Sequence, residues 1–154
     1  MKTVALFVSI LASAFGIHSA YAASQSDTAT LAASVSKANG ENLDGIKNAV
    51  ALGRSLGWST PTSSVGVGLS GNWKFTTSDG TSGTVLFNSN VVSGALASAF
   101  KEYSFLQNSK DKTAPTLVVL GPKSDGRWFI PFKKSGSLVL INNANRRQWI
   151  RLTK

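Results

Sequence analysis

The 154-residue sequence contains no cysteine, one histidine and one methionine. Without cysteine the chain can form no disulfide, so its fold depends on an ordinary hydrophobic core. Most zinc, copper and haem sites use histidine or cysteine ligands, and histidine is the usual base for a serine nucleophile. We therefore expect no cofactor, and neither a metal centre nor a nucleophilic catalytic site of those kinds.

Acidic residues are also scarce, because seven Asp and Glu stand against sixteen Lys and Arg, which gives a formal net charge of +9. A glycosidase needs two carboxylates facing each other across a sugar, and most of the seven fall in predicted turns or in a predicted helix. A carboxylate-only calcium or magnesium site stays open in principle, although no residue is assigned to one. We predict a protein that is not an enzyme.

The first 22 residues are typical of an export signal. Lys2 supplies a positive start, residues 3–17 form an apolar run, and residues 20–22 match the small-residue cleavage pattern. Its removal would also remove His18 and Met1, the single histidine and the single methionine. The sequence therefore predicts a secreted or periplasmic bacterial protein. The rest of the chain has no apolar run near the roughly 18 residues needed to span a membrane.

The remaining chain divides by composition. Residues 23–40 are small and polar, which predicts a flexible leader. In residues 41–57 apolar side chains recur at three- and four-residue spacing, which predicts an amphipathic helix. Residues 58–68 are predicted to form a linker. Residues 69–154 alternate short β-branched and aromatic runs with turn residues, so we predict a mainly β fold: an antiparallel meander or small barrel with one N-terminal helix.

Six runs within that last region predict strands, and a seventh is favoured in an ambiguous stretch at 91–107. The six are 72–77, 84–88, 116–120, 127–132, 137–141 and 147–152, and the seventh is 102–106. Alternation along 127–132 predicts that Trp128, Ile130 and Phe132 point inward. With Phe75 and Leu86, they are our candidates for binding a small apolar ligand. The alternative is that these side chains only fill a small core.

Basic residues are concentrated at the C-terminal end, with eleven Lys and Arg against three acidic residues from Lys101 onward. In the last predicted strand Arg147, Trp149 and Arg151 share one face. Burial of unpaired guanidiniums is costly, so we expect that face outside the barrel or at its mouth. The candidate anion-binding residues are Lys133, Lys134, Arg146, Arg147, Trp149 and Arg151. Their expected partner is an anionic glycolipid or polysaccharide, and the alternative is that the charge serves only solubility.

Two short motifs resemble the lipocalin-like, or calycin, barrels of bacterial envelope proteins. Gly71-Asn72-Trp73 matches the Gly-x-Trp that opens the first strand of such barrels, and residues 149–152 resemble their closing strand. The match covers only the two ends of residues 69–154. The resemblance implies that Gly71 and Trp73 are structural, with Trp73 plugging one barrel end and Arg151 packing over it. It also implies an exported binding protein for a small apolar ligand or an anionic envelope component.

Two other functions stay open at this point. The chain could be a basic surface binder or inhibitor of an acidic protein or polysaccharide. It could also be a structural envelope protein that pairs with a protein partner through the helix at 41–57.

Overall fold

The structure is a computed structural model that describes residues 24–154; the predicted export signal at 1–22 lies outside the described residues. Within that range the chain forms three helices, eight strands and one turn of 3-10 helix. They are α1 (Gln25–Val35), α2 (Leu43–Ser55), α3 (Ser64–Val67), β1 (Gly71–Thr77), β2 (Ser82–Asn88), β3 (Val91–Gly94), the 3-10 helix (Ala95–Ser98), β4 (Tyr103–Leu106), β5 (Leu117–Leu120), β6 (Arg127–Lys134), β7 (Ser137–Asn142) and β8 (Trp149–Thr153).

The eight strands form one antiparallel sheet in the order β3-β2-β1-β8-β7-β6-β5-β4. Strands that are neighbours in the sequence are paired, except β3 and β4, and β1 also pairs with β8. The two outer strands approach each other at a single bridge between Val91 and Glu102, beside which the Val92 amide donates to the Lys101 carbonyl at 3.0 Å. The sheet is therefore a nearly closed up-and-down barrel. The prediction of a mainly β fold with an antiparallel meander or small barrel is confirmed.

One hydrophobic core, which we call the barrel core, fills the inside of the barrel. Its rings meet edge to face, with the centroids of Phe87 and Tyr103 5.3 Å apart and those of Tyr103 and Phe105 6.0 Å apart. The buried members are Val67, Leu69, Trp73, Phe75, Val85, Phe87, Val92, Leu96, Tyr103, Val118, Leu120, Phe129, Leu138, Leu140, Ile150 and Leu152. Such packing is expected for eight strands, because a barrel of that size is just wide enough for side chains to fill.

A second hydrophobic core, which we call the outer core, lies outside the barrel, between the helices α1 and α2 and the strands β5 to β8. Leu31 of α1, Ala49 of α2, and Ile130, Phe132 and Ile141 of the sheet are all fully buried there. Strand β7 is consequently buried along its whole length, because the barrel core covers one face and the helices cover the other.

The amphipathic helix predicted at 41–57 is confirmed as α2. Its buried stripe includes Ile46, Ala49 and Val50. Gly53, an unfavourable residue inside a helix, lies directly against the Phe132 ring, and a Cβ at this position would collide with that ring. The glycine therefore sets how closely α2 approaches the sheet.

The prediction of a flexible leader at 23–40 was wrong for residues 25–35, which form α1. A capping box starts the helix: the Ser24 hydroxyl accepts from the Asp27 amide at 3.0 Å, and the Asp27 carboxylate accepts from the Ser24 amide at 3.3 Å. Leu31 and Val35 are fully buried. This apolar stripe is too short to be recognised in a polar segment, and the helix is stabilised by the sheet that it covers.

Residues 58–68 were predicted as a linker but are fastened to the barrel. Trp58 is buried in the outer core. Ser59 and Lys133 exchange backbone hydrogen bonds of 2.9 and 2.8 Å, so the segment adds a short bridge to β6. Val67 of α3 is buried in the barrel core.

The segment between β4 and β5 is held to α2 by an ion pair between Lys47 and Asp111. Hydrogen bonds from Lys47 and then Thr113 lower the pKa of Asp111 to about 2. Because this pKa is depressed relative to the ordinary value, the contact stabilises the fold above about pH 4 and is lost as the pH falls through about 2.

The predicted strands are confirmed to within two residues at each end, including β4 in the ambiguous stretch at 91–107. That stretch also contains β3 and the 3-10 helix, which were not predicted. The orientation predicted for β6 was wrong, because Phe129 is inside the barrel while Ile130 and Phe132 lie under the helices. Alternation shows which side chains share a face, but both faces of β6 are apolar, so it did not show which face is inner.

We predict that Phe132→Ala lowers the free energy of unfolding by about 3 to 5 kcal/mol, since it removes a fully buried ring between α2 and the sheet. Trp128→Ala on the same outer face of β6 is the matched control, and its 44% exposed side chain predicts a loss of about 1 kcal/mol or less. Urea denaturation followed by circular dichroism measures both. Equally small losses of unfolding free energy in the two variants would contradict the packing of Phe132 in the outer core.

Candidate functional site

The two ends of the barrel differ. At one end Trp73, which is 8% exposed, donates through Nε1 to the Leu69 carbonyl at 2.7 Å, and the Lys154 ammonium lies 4.1 Å from the centre of its ring. Gly71 has a φ of +119°, and a Cβ there would lie 2.8 Å from the Lys154 nitrogen. Glycine is favoured at this position by the backbone conformation, which other residues rarely adopt, whereas the flexible Lys154 side chain could move aside.

Lys154, and not Arg151, covers the indole of Trp73. Arg151 pairs across the sheet with Val139, whose side chain belongs to the outer core, so Arg151 also faces outward. The closing role that the lipocalin-like resemblance implied for Arg151 is corrected accordingly. The physical reason is the period of two along β8, which turns Leu152 into the barrel and Arg151 out of it.

The opposite end of the barrel opens into a depression of about 370 Å³, which we call the mouth cup. Its apolar wall includes Phe75, Leu96, Phe100, Phe129 and Ile150. The rings of Phe100 and Phe129 meet edge to face with centroids 6.1 Å apart. The wall of the mouth cup is therefore continuous with the barrel core.

Three polar side chains, Arg127, Asn142 and Gln148, form part of the rim of the mouth cup. Each of the three lies two positions along the chain from a residue of the barrel core, so alternation places its side chain on the inner face of the sheet. The Asn142 amide nitrogen donates to Gln148 Oε1 at 3.1 Å, and Asn142 Oδ1 accepts from the Ala144 amide at 2.9 Å. Both amide groups are thus held in fixed orientations, and the guanidinium of Arg127 is exposed beside them.

The structure separates the five residues that were predicted to bind a ligand. Phe75 lines the mouth cup. Leu86 lies half-buried on the outer face of β2, between two residues that point inward. Trp128 is exposed, and Ile130 and Phe132 are covered by the helices.

Sequence reasoning missed most of the mouth cup. Phe129 lies on the face of β6 opposite to the one predicted to point inward, and Leu96, Phe100 and Ile150 were not among the ligand candidates. The apolar spacing of Leu96 and Phe100 was the available signal, but it fitted a helix face as well as a cup wall.

The six predicted anion-binding residues do not form one exposed stripe. The Lys133 ammonium donates to the Gly66 carbonyl at 2.8 Å, and the Lys134 ammonium donates to the Leu56 carbonyl at 3.3 Å. Trp149 is only 7% exposed and belongs to the outer core. Arg151 is half-buried on the outer face and Arg147 is exposed.

Arg146, the sixth of them, is buried and fastens the α1–α2 connection to the β7–β8 loop. Its guanidinium donates to the carbonyls of Ala38 and Gly40, the latter at 2.6 Å, and to Asn143 Oδ1 at 2.9 Å. Burial lowers the pKa of Arg146, and the negative charge of Glu41 opposes that change. The side chain acts as a structural link between the helices and the barrel.

No protein-family model, no curated protein and no solved structure matches this chain. Within residues 24–154, no helix is both long and apolar enough to cross a membrane. The same residues contain no cluster of three or more His, Asp or Glu side chains able to hold a metal ion.

We predict that Lys154→Ala shifts the indole ¹H–¹⁵N resonance of Trp73, because it removes the cation from the face of that ring. Arg151→Ala is the control, and it leaves the Trp73 resonance in place because Arg151 faces outward. A two-dimensional NMR spectrum of each variant decides between them. A larger shift of the Trp73 resonance in Arg151→Ala than in Lys154→Ala would contradict the assignment of Lys154 as the closing residue.

Proposed function

We propose that this chain is an exported, non-enzymatic binding protein that resembles small lipocalin-like barrels and holds a small apolar ligand in the mouth cup. One observation carries the proposal: the barrel end opposite Trp73 and Lys154 opens into a depression whose apolar wall is continuous with the barrel core. The pattern of residues 1–22 supports export.

The dimensions and lining of the mouth cup support a small ligand. Its volume of about 370 Å³ lies at the lower end of the range of about 300 to 1,000 Å³ that is usual for small-molecule sites. Aromatic and aliphatic walls favour an apolar group, since burial of apolar surface contributes about 25 cal/mol per Å². The polar rim would orient whatever part of the ligand remains outside.

The titratable groups around the mouth cup support binding rather than catalysis. Its lining contains one carboxylate, Asp79, and one guanidinium, Arg127. Hydrogen bonds from Thr77 and Thr81 lower the pKa of Asp79, so this carboxyl group stays ionised and is engaged in its own turn. A carboxylate of this kind is poorly suited to act as a general acid near neutral pH.

The polyanion and helix-partner alternatives have less support. Lys133, Lys134 and Arg146 direct their charged groups to carbonyl oxygens of the same chain. The apolar stripe of α2, which a protein partner would need, is packed against α1 and the sheet.

We predict that the neutral dye N-phenyl-1-naphthylamine binds the protein with enhanced fluorescence that added salt does not reduce, as expected for apolar burial and unlike polyanion binding. Phe100→Asp places a charge in the wall of the mouth cup and lowers the dye affinity at least about tenfold. Leu86→Asp is the matched control, because Leu86 is also half-buried but lies on the outer face of β2. Its dye affinity stays within about twofold of wild type.

Circular dichroism of both variants checks that each remains folded. No dye uptake by the wild-type protein, or equal losses in Phe100→Asp and Leu86→Asp, would overturn the mouth cup as the binding site.

A further inference from the structure

Trp128 is unlike the other three tryptophans of the chain. Trp58, Trp73 and Trp149 are 2%, 8% and 7% exposed, whereas Trp128 is 44% exposed. It lies at the start of β6 on the outer face of the barrel. An exposed indole at the edge of a depression is a flat apolar platform that the fold itself does not require to be covered.

The platform forms one wall of a depression of about 600 Å³, which we call the Trp128 groove. The other side chains along this groove are polar, apart from Ala144. They are Glu41, Ser124, Arg127, Asn142, Asn143 and Gln148. A single indole among hydroxyl, amide and charged groups favours a ligand with both an apolar face and many hydrogen-bonding groups.

The polar wall of the Trp128 groove is held in place before any ligand binds. The backbone amide of Asn143 donates to the Trp128 carbonyl at 2.8 Å, and its side-chain amide donates to the Glu41 carbonyl at 3.0 Å. Its Oδ1 accepts from Arg146 at 2.9 Å. A fixed wall reduces the entropy lost when a ligand binds.

The charges of the groove favour an uncharged, polyhydroxyl ligand group. One carboxylate, from Glu41, and one guanidinium, from Arg127, line it. A sugar hydroxyl both donates and accepts, so it satisfies either group, whereas a charged head group would be attracted by one of them and repelled by the other. The apolar C–H face of a pyranose ring is also suited to stacking on an indole.

The Trp128 groove and the mouth cup meet at the same rim. Arg127, Asn142 and Gln148 line both depressions. On β6, Phe129 faces into the barrel and Trp128 faces outward, so the aromatic walls of the two sites come from consecutive residues. A single ligand that crosses the rim can therefore contact both.

We propose that the ligand is an amphiphile whose apolar part occupies the mouth cup and whose sugar head group crosses the rim and stacks on Trp128. This inference rests on the proposed function, because the mouth cup must hold the apolar part. It goes further by naming the chemical class as an alkyl or acyl glycoside.

The test compares three neutral probes, octyl β-D-glucopyranoside below its micelle-forming concentration, n-octanol and free glucose, with octyl sulfate as the anionic control. Calorimetry gives the affinities, and acrylamide quenching of tryptophan fluorescence reports the exposure of Trp128, since the other three indoles are buried. We expect the glucoside to bind at least about tenfold more tightly than octanol. We also expect only the glucoside to protect Trp128 from quenching, and glucose alone to bind weakly.

Three variants separate the head-group site from the mouth cup. Trp128→Ala lowers the glucoside affinity to that of octanol and leaves octanol binding unchanged, while Trp128→Phe retains part of the gain because it keeps an aromatic face. Phe100→Asp weakens both probes, because both place their octyl chain in the mouth cup.

The outcomes distinguish the two proposals. Equal affinities for glucoside and octanol that Trp128→Ala does not change would overturn the sugar site and leave the mouth cup standing. Tighter binding of octyl sulfate than of the glucoside, lost in Arg127→Gln, would overturn the sugar head group in favour of an anionic one. No binding of either octyl probe to the wild-type protein would overturn the mouth cup, and the sugar-site inference with it.

Discussion

Burial of β6 and β7 on both faces is the constraint on which the rest of this structure depends. Inside the barrel Phe129 and Leu140 join one core, and outside it Phe132 and Ile141 join another. A chain without disulfides needs both cores, since apolar burial is the main favourable term in its stability. The helices are thus part of the barrel's own packing.

Some of the positively charged side chains of the chain make structural contacts within the fold. Arg146 joins the helical connection to the β7–β8 loop, and Lys133 and Lys134 hold the segment before β1 against β6. A long cationic side chain reaches a carbonyl that a short one cannot, and its stem covers apolar surface on the way. With these groups engaged, the mouth of the barrel is left with a nearly balanced rim, which favours selection of ligands by shape, apolar area and hydrogen bonds.

The sequence allowed seven of the eight strands and α2 to be predicted, because alternation, helical spacing and turn residues are local signals, whereas the structural roles of Gly71 and Trp73 were implied only by a motif resemblance. Three features were not accessible in this way. The inner face of β6 depended on where the helices pack, α1 depended on a sheet distant in sequence, and Lys154 reaches Trp73 only because β1 and β8 are neighbours. The mouth cup combines residues from five parts of the chain, so no single segment carried its signal.

The central claim is that an apolar ligand enters the open barrel end and not the interface under the helices. Methyl NMR tests it most directly, with Leu96 and Ile150 reporting on the mouth cup and Leu31 and Ile141 on the outer core. The account predicts that a neutral apolar ligand shifts the Leu96 and Ile150 methyl signals and gives intermolecular NOEs to them, while the Leu31 and Ile141 signals stay in place. NOEs to Leu31 and Ile141 alone would contradict it.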